Sequence, residues 1–211
     1  MGNRCVITTE ENFRHNGVGV YLHWNGGRDS VEAFLTYCEM KGFCSPDIDC
    51  YGWARLAQVC ANFFGGTYSV GIDTVDSLDC KNGDNGVYII KGWKIVDRKY
   101  FHGSEQNEYD LEEMLIAIDE NMPENDRLGK DFLSGKIVRP DEMKIGDTIS
   151  FLGWSGTMEK YVVLGFGTDM MVNGHNVKGV PFVAKFGTEY SEIVKNPNNY
   201  LFADREYRKL Q

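Results

Sequence analysis

The spacing of apolar positions changes period several times along the chain, and each change marks an element. Asn3–Thr9 and Gly17–Trp24 are dense in β-branched and aromatic residues, the composition of strands, and the polar run between them reads as a hairpin connection. After Gly26 and Gly27 the period lengthens. Val31, Phe34, Leu35 and Cys38 recur at the spacing of one helix face, with Asp29 and Glu32 placed as a capping box and Gly42 as a stop. A second stripe, Trp53, Leu56, Ala57, Cys60 and Phe64, predicts a helix from near Asp49 to the Phe-Phe-Gly-Gly run. A short strand follows, then a turn and two strands broken by a glycine, up to Phe101. Leu111, Leu115, Ile116 and Ile118 predict a third amphipathic helix, with Pro123 just past its end.

From Lys136 the pattern becomes short strands separated by glycine turns, which predicts a small closed or half-closed, SH3-like β-barrel, with a loop and short helix finishing the chain. The expected fold is therefore α+β: an N-terminal antiparallel sheet with packed helices over residues 1–135, and the small barrel with its tail over 136–211.

Composition narrows the class. The chain has 211 residues, 42% hydrophobic and 25% charged, with 24 Gly against 5 Pro, which suits a globular protein of many strands and tight turns. It contains neither an apolar run long enough to span a membrane nor a secretory signal, so a cytoplasmic location in a bacterial cell is the expectation. In a reducing compartment the six cysteines are free thiols. Cys38 and Cys60 fall on the apolar helix faces, and the wide spacing of Cys38, Cys44 and Cys50 lacks the close pairs of a zinc site. No metal and no cofactor is expected.

Charge changes the picture more. The net charge is −9, and Glu105–Arg127 holds nine acids and one base. This concentration disfavours nonspecific nucleic-acid binding and suits a basic protein surface. On the predicted helix Glu112, Glu113, Asp119 and Glu120 are the candidate partner-binding residues; an ordinary solvated helix face is the alternative.

Candidate chemistry centres on Tyr21–Ser30, a strand that meets a Gly-Gly turn and then a helix. Free N–H groups at a helix start attract anions, glycines let a ligand approach the backbone, and Arg28 adds a fork of donors. Asn25, Gly26, Gly27 and Arg28 form the candidate anion site. In an enzyme reading His23 is the acid or base and Arg4 its companion. The Gly-x4-Gly-Lys-Ser/Thr phosphate loop, Gly-x-Ser-x-Gly and His-Glu-x-x-His are all absent. His102 and Ser104 supply only half of a two-histidine phosphoesterase pattern.

The first 40 or so residues resemble a broad group of uncharacterised bacterial and phage proteins. These begin Met-Gly-Thr/Asn-Arg and carry a His/Gln-Trp-Asp-Gly turn before a helix. Gly2, Arg4, His23, Trp24, Asn25 and Gly26 lie on the shared pattern. The chain departs from it in having Asn25 for the usual Asp, and Gly-Gly-Arg-Asp-Ser where the group has a Tyr-Pro turn. The resemblance implies mobile elements of Gram-positive bacteria, where anti-CRISPR proteins of similar size occur. Three functional readings follow. The first is an anti-defence inhibitor that binds the basic surface of a CRISPR effector nuclease. The second is a phosphodiesterase or nuclease using the Gly-Gly turn. The third is a nucleotide-binding or other small-ligand protein using the same turn without chemistry.

Overall fold

The computed structural model describes residues 2–139, 142–152, 158–166, 170–172, 175–177, 181–185 and 207–210. The chain divides into two compact units, Met1–Arg127 and Leu128–Gln211.

In the first unit, β1 (Cys5–Thr9), β2 (Val18–Leu22), β3 (Val70–Thr74), β4 (Val87–Lys91) and β5 (Lys94–Lys99) form one sheet in the order β3-β2-β1-β4-β5. Three of its pairings are antiparallel, but β1 and β4 run parallel, with Val6 opposite Val87 and Ile7 opposite Tyr88. The wholly antiparallel sheet expected from the sequence is corrected accordingly. The cause is the path of the chain after β3. That strand lies at an edge, so Val75–Gly86 must cross β2 and β1 before β4 starts beside β1, and such a crossover is what a parallel pair needs.

The polar run between β1 and β2 is a helix, α1 (Glu10–His15), where a plain hairpin connection was expected. Thr9 caps it by accepting the Asn12 N–H at 3.3 Å, and Asn16 ends it in the left-handed region at φ 52°. The longer helices are α2 (Arg28–Met40), α3 (Tyr51–Phe63) and α4 (Leu111–Glu120). Gly27 is the N-cap of α2, so the Asp29–Glu32 capping box does not form. Asp29 instead sits in the first turn, where a carboxylate favours the positive end of the helix dipole.

The two sheet faces divide the core. Val31, Phe34, Leu35 and Cys38 of α2 and Trp53, Leu56 and Cys60 of α3 are buried, and Cys5, Ile7, Val20 and Leu22 look toward them from the sheet. α4 packs on α2 and α3 through Leu115 and Ile118. On the other face Val6, Val87 and Ile89 are covered by Phe13 of α1 and by Tyr21, Leu78 and Cys80. Each large side chain so buried contributes about 1.5–3 kcal/mol. Cys38 and Cys60 are free thiols with no exposure, as their helical spacing predicts.

The second unit contains α5 (Lys130–Leu133), β6 (Lys136–Val138), β7 (Thr148–Leu152) and β8 (Met158–Phe166), then β9 (Met170–Val172), β10 (His175–Val177), β11 (Pro181–Lys185) and β12 (Tyr207–Lys209). It begins ahead of the boundary expected after residue 135, so α5 belongs to it. Five of its strands form a sheet in the order β11-β8-β7-β12-β6, while β9 and β10 pair separately. Among the described residues its edge strands β11 and β6 do not pair, so the sheet is open and no closed barrel is present. Val138, Met143, Ile149, Val163 and Tyr207 form its core. Tyr207–Lys209 is a strand where a terminal helix was expected, because it pairs with β6 on one side and β7 on the other. The loop expected before it lies outside the described residues.

Candidate functional site

The residues singled out around the Gly-Gly turn meet at one end of the first sheet, where β1 and β4 begin and β2 and β5 end. Asn25 adopts the left-handed region at φ 53° and donates its amide to the Ser30 hydroxyl at 3.3 Å. Gly26 donates its N–H to the Asn3 carbonyl at 2.7 Å, and its own carbonyl accepts the Tyr88 hydroxyl at 3.1 Å. A Cβ on Gly26 would stand 2.6 Å from the Asn3 oxygen. The close approach that this glycine permits is therefore to the chain's own backbone. The Gly27 carbonyl accepts the Val31 N–H at 3.0 Å, and no side chain caps the helix start.

The cations at this end all have partners within the chain. On one face Arg4 donates Nε to Asp84 at 2.6 Å, its backbone N–H to the same carboxylate at 3.1 Å, Nη1 to Asp79 at 3.3 Å, and Nη2 to the Asn82 carbonyl. The Arg4 hydrogen bond holds the Asp84 carboxyl below the usual carboxylate range. On the helix face Arg28 reaches Glu105 at 3.4 Å and Glu32 at 3.5 Å. Glu105 also accepts Arg98 Nη1 at 2.8 Å. Arg98 lies between the Tyr88 and Phe101 rings, 4.3 and 3.4 Å from their centroids, and donates to the carbonyl and side-chain oxygens of Asn85 at 3.0 and 2.9 Å. Glu32 accepts the Tyr109 hydroxyl, and burial together with that bond pushes the Tyr109 phenol up to about 12. In this arrangement the carboxylates facing Arg28 are the protein's own Glu105 and Glu32.

His23 is exposed. Its Nδ1 lies 3.3 Å from the Tyr21 hydroxyl, and its ring meets Trp24 edge-on at 5.2 Å. The His23 ring meets Tyr21 and Trp24, whereas the Arg4 guanidinium bonds Asp79, Asn82 and Asp84. No hydrogen bond joins the side chains of His23 and Arg4. Among the described residues no group of three or more His, Cys, Asp or Glu is placed to hold a metal ion.

The acidic helix α4 starts with Asp110 as N-cap, its carboxylate accepting the Glu113 N–H at 2.9 Å. Glu112, Glu113 and Glu120 are exposed, and among the described residues none pairs with a cation. Arg127, the single base of the acidic segment, bonds backbone instead: Nε to the Met122 carbonyl at 2.9 Å and Nη2 to the Glu120 carbonyl at 2.7 Å. Asp119 corrects the expectation. It is 4% exposed and accepts the Tyr37 hydroxyl at 2.6 Å, so it belongs to the interface between α4 and α2 and not to the outward face. Asp119 follows Ile118 and lies four residues after Leu115, which turns it toward α2.

Sequence reasoning missed Glu105, Arg98, Asp84 and Tyr37. Glu105 and Arg28 are 77 positions apart and Arg4 and Asp84 are 80, so no local spacing announces these pairs. No protein-family model matches the chain, and no curated protein or solved structure matches it. Among the described residues no helix is long and apolar enough to cross a membrane.

Proposed function

We propose that the chain is a binding protein that presents the outward carboxylates of α4 to a basic protein surface. We further propose that it acts as an anti-defence, anti-CRISPR-type inhibitor of a nucleic-acid-guided nuclease. The observation that carries the reading is that Glu112, Glu113 and Glu120 are exposed and pair with no cation among the described residues, while Arg127, the base of the same segment, bonds backbone carbonyls. Unpaired like charges on one surface repel one another, and a basic groove that normally holds nucleic acid relieves that repulsion and speeds encounter. The helix is anchored from beneath by Leu115, Ile118 and the Tyr37–Asp119 bond. The nuclease as target rests on the resemblance of the first 40 or so residues alone.

The second reading, a phosphodiesterase or nucleotide-binding site at the Gly-Gly turn, has less support, because Arg4 and Arg28 both face carboxylates of the chain.

The test is inhibition of target cleavage by a nucleic-acid-guided nuclease, after circular dichroism confirms folding. Glu112→Lys with Glu113→Lys is expected to abolish inhibition, and inhibition by the native chain is expected to weaken as salt rises. Full inhibition by the charge-reversed protein overturns the acidic-surface mechanism. Loss of activity in His23→Ala, with none in the reversed variant, favours the second reading.

A further inference from the structure

The sheet face opposite α2, α3 and α4 holds a cavity of about 420 Å³, within the span of small-molecule sites, about 300–1,000 Å³. Phe13 of α1 and Val75, Leu78 and Tyr100 form its apolar wall, and Asp76 and Asp79 bring carboxylates to it and Lys81 an ammonium.

The wall is held in place by bonds within the chain. Val75 donates its N–H to the Gly17 carbonyl at 2.9 Å, and Asp76 donates its N–H to the Asn16 side-chain oxygen at 2.7 Å. Leu78 lies across β2 at Gly19, where a Cβ would stand 2.9 Å from its methyl group, so the glycine is what lets the crossing segment lie flat on the sheet. The Phe13 and Tyr100 rings are 6.2 Å apart and tilted by 52°.

The two carboxylates are not equivalent. Asp79 is bonded by Arg4 at 3.3 Å, and the Lys81 ammonium lies over the Tyr100 ring, 5.4 Å from its centroid. Asp76 has no cationic partner among the described residues, and its carboxylate is exposed beside the apolar wall. The thiol of Cys80 stands in the same wall, donating to the Val75 carbonyl at 3.3 Å. Burial raises its pKa, and so do the charges of Asp76 and Asp79, whose field therefore reaches the wall.

We infer that this cavity binds a small organic monocation, an ammonium or guanidinium on a short aryl or alkyl stem, with the stem against Phe13, Leu78 and Tyr100 and the charge at Asp76. An anion of the same shape meets the unpaired Asp76 and a chain of net charge −9, while Asp79 is held by Arg4 and the Lys81 ammonium by the Tyr100 ring, so Asp76 is the charge that discriminates. The site uses none of the residues invoked for α4, so it stands or falls apart from the proposed function.

The experiment titrates the full chain calorimetrically with phenethylammonium and, separately, with phenylacetate, which has a similar ring and stem but the opposite charge. Saturable binding of phenethylammonium is expected, with phenylacetate at least about tenfold weaker. Asp76→Asn is expected to cost the amine about tenfold in affinity, the scale of one charge-assisted contact. Alkylation of Cys80 by iodoacetamide, read by peptide mass, is expected to slow in saturating amine. Equal binding of the two probes, an affinity unchanged by Asp76→Asn, or undiminished Cys80 alkylation overturns the inference. The comparison of the two probes is made on the native protein, so it does not depend on the variant folding.

Discussion

The hydroxyl of Tyr37 donates to a carboxylate oxygen of Asp119 at 2.6 Å, joining two buried residues that are 82 positions apart in the chain. The bond ties α2 to α4 inside the apolar seam made by Leu115 and Ile118. Lys41, one turn beyond Tyr37, donates its ammonium to the Asp126 carbonyl at 2.6 Å and anchors the segment that follows α4. Burial lowers the Lys41 pKa, and the nearby Asp126 and Asp119 charges oppose that shift.

Tyr37→Phe removes the donor and leaves a buried carboxylate short of one bond. The expected loss of stability is about 1–3 kcal/mol, measured by urea denaturation. Glu112→Lys, on the exposed face of the same helix, is expected to stay within about 0.5 kcal/mol. Similar small effects from both changes contradict the division of α4 into an anchoring and a presenting face.

Gly26→Ala places a methyl group 2.6 Å from the Asn3 carbonyl oxygen, which cannot move without disturbing the start of β1. The expected loss is about 1–3 kcal/mol, read as a lower Tm. An unchanged Tm means that the turn has room, and with it room for a ligand at the backbone.

Asp84 supplies a pH signature. Its folded-state pKa lies below the unfolded value because Arg4 bonds the ionised form. Its contribution is therefore present above the usual carboxylate range and is lost as pH falls through that range, about pH 4 and below. Asp84→Asn is expected to flatten the acid limb of the stability curve while leaving its high-pH side parallel to that of the native protein. An acid limb of unchanged slope in the variant removes the Arg4–Asp84 pair as its source.

The cysteines should divide by burial. Cys5, Cys38 and Cys60 are buried, and burial pushes all three thiols up, so none supplies a thiolate near neutral pH. Native-state treatment with a thiol reagent is expected to label the exposed Cys44 and Cys50 first and to leave these three until the chain unfolds. Rapid native labelling of Cys38 or Cys60 contradicts the packing of α2 and α3.

Local pattern was enough for the elements whose burial is one-sided. The apolar stripe of α2, the burial of Cys38 and Cys60, and the anchoring of α4 by Leu115 and Ile118 all follow from a period near 3.6, because a helix sets its own face through bonds between near neighbours. Only the tertiary structure decided the rest. The parallel pairing of β1 with β4 depends on the path of Val75–Gly86 across the sheet, and strand periodicity carries no sign of direction. Nothing within ten positions of Arg28 identifies Glu105 as its partner, and although the spacing from Leu115 turns Asp119 inward, the Tyr37 hydroxyl that meets its carboxylate there is 82 positions away. A charge is outward or paired according to which distant surface comes to lie against it, and that surface exists only once the sheet and the three helices have packed.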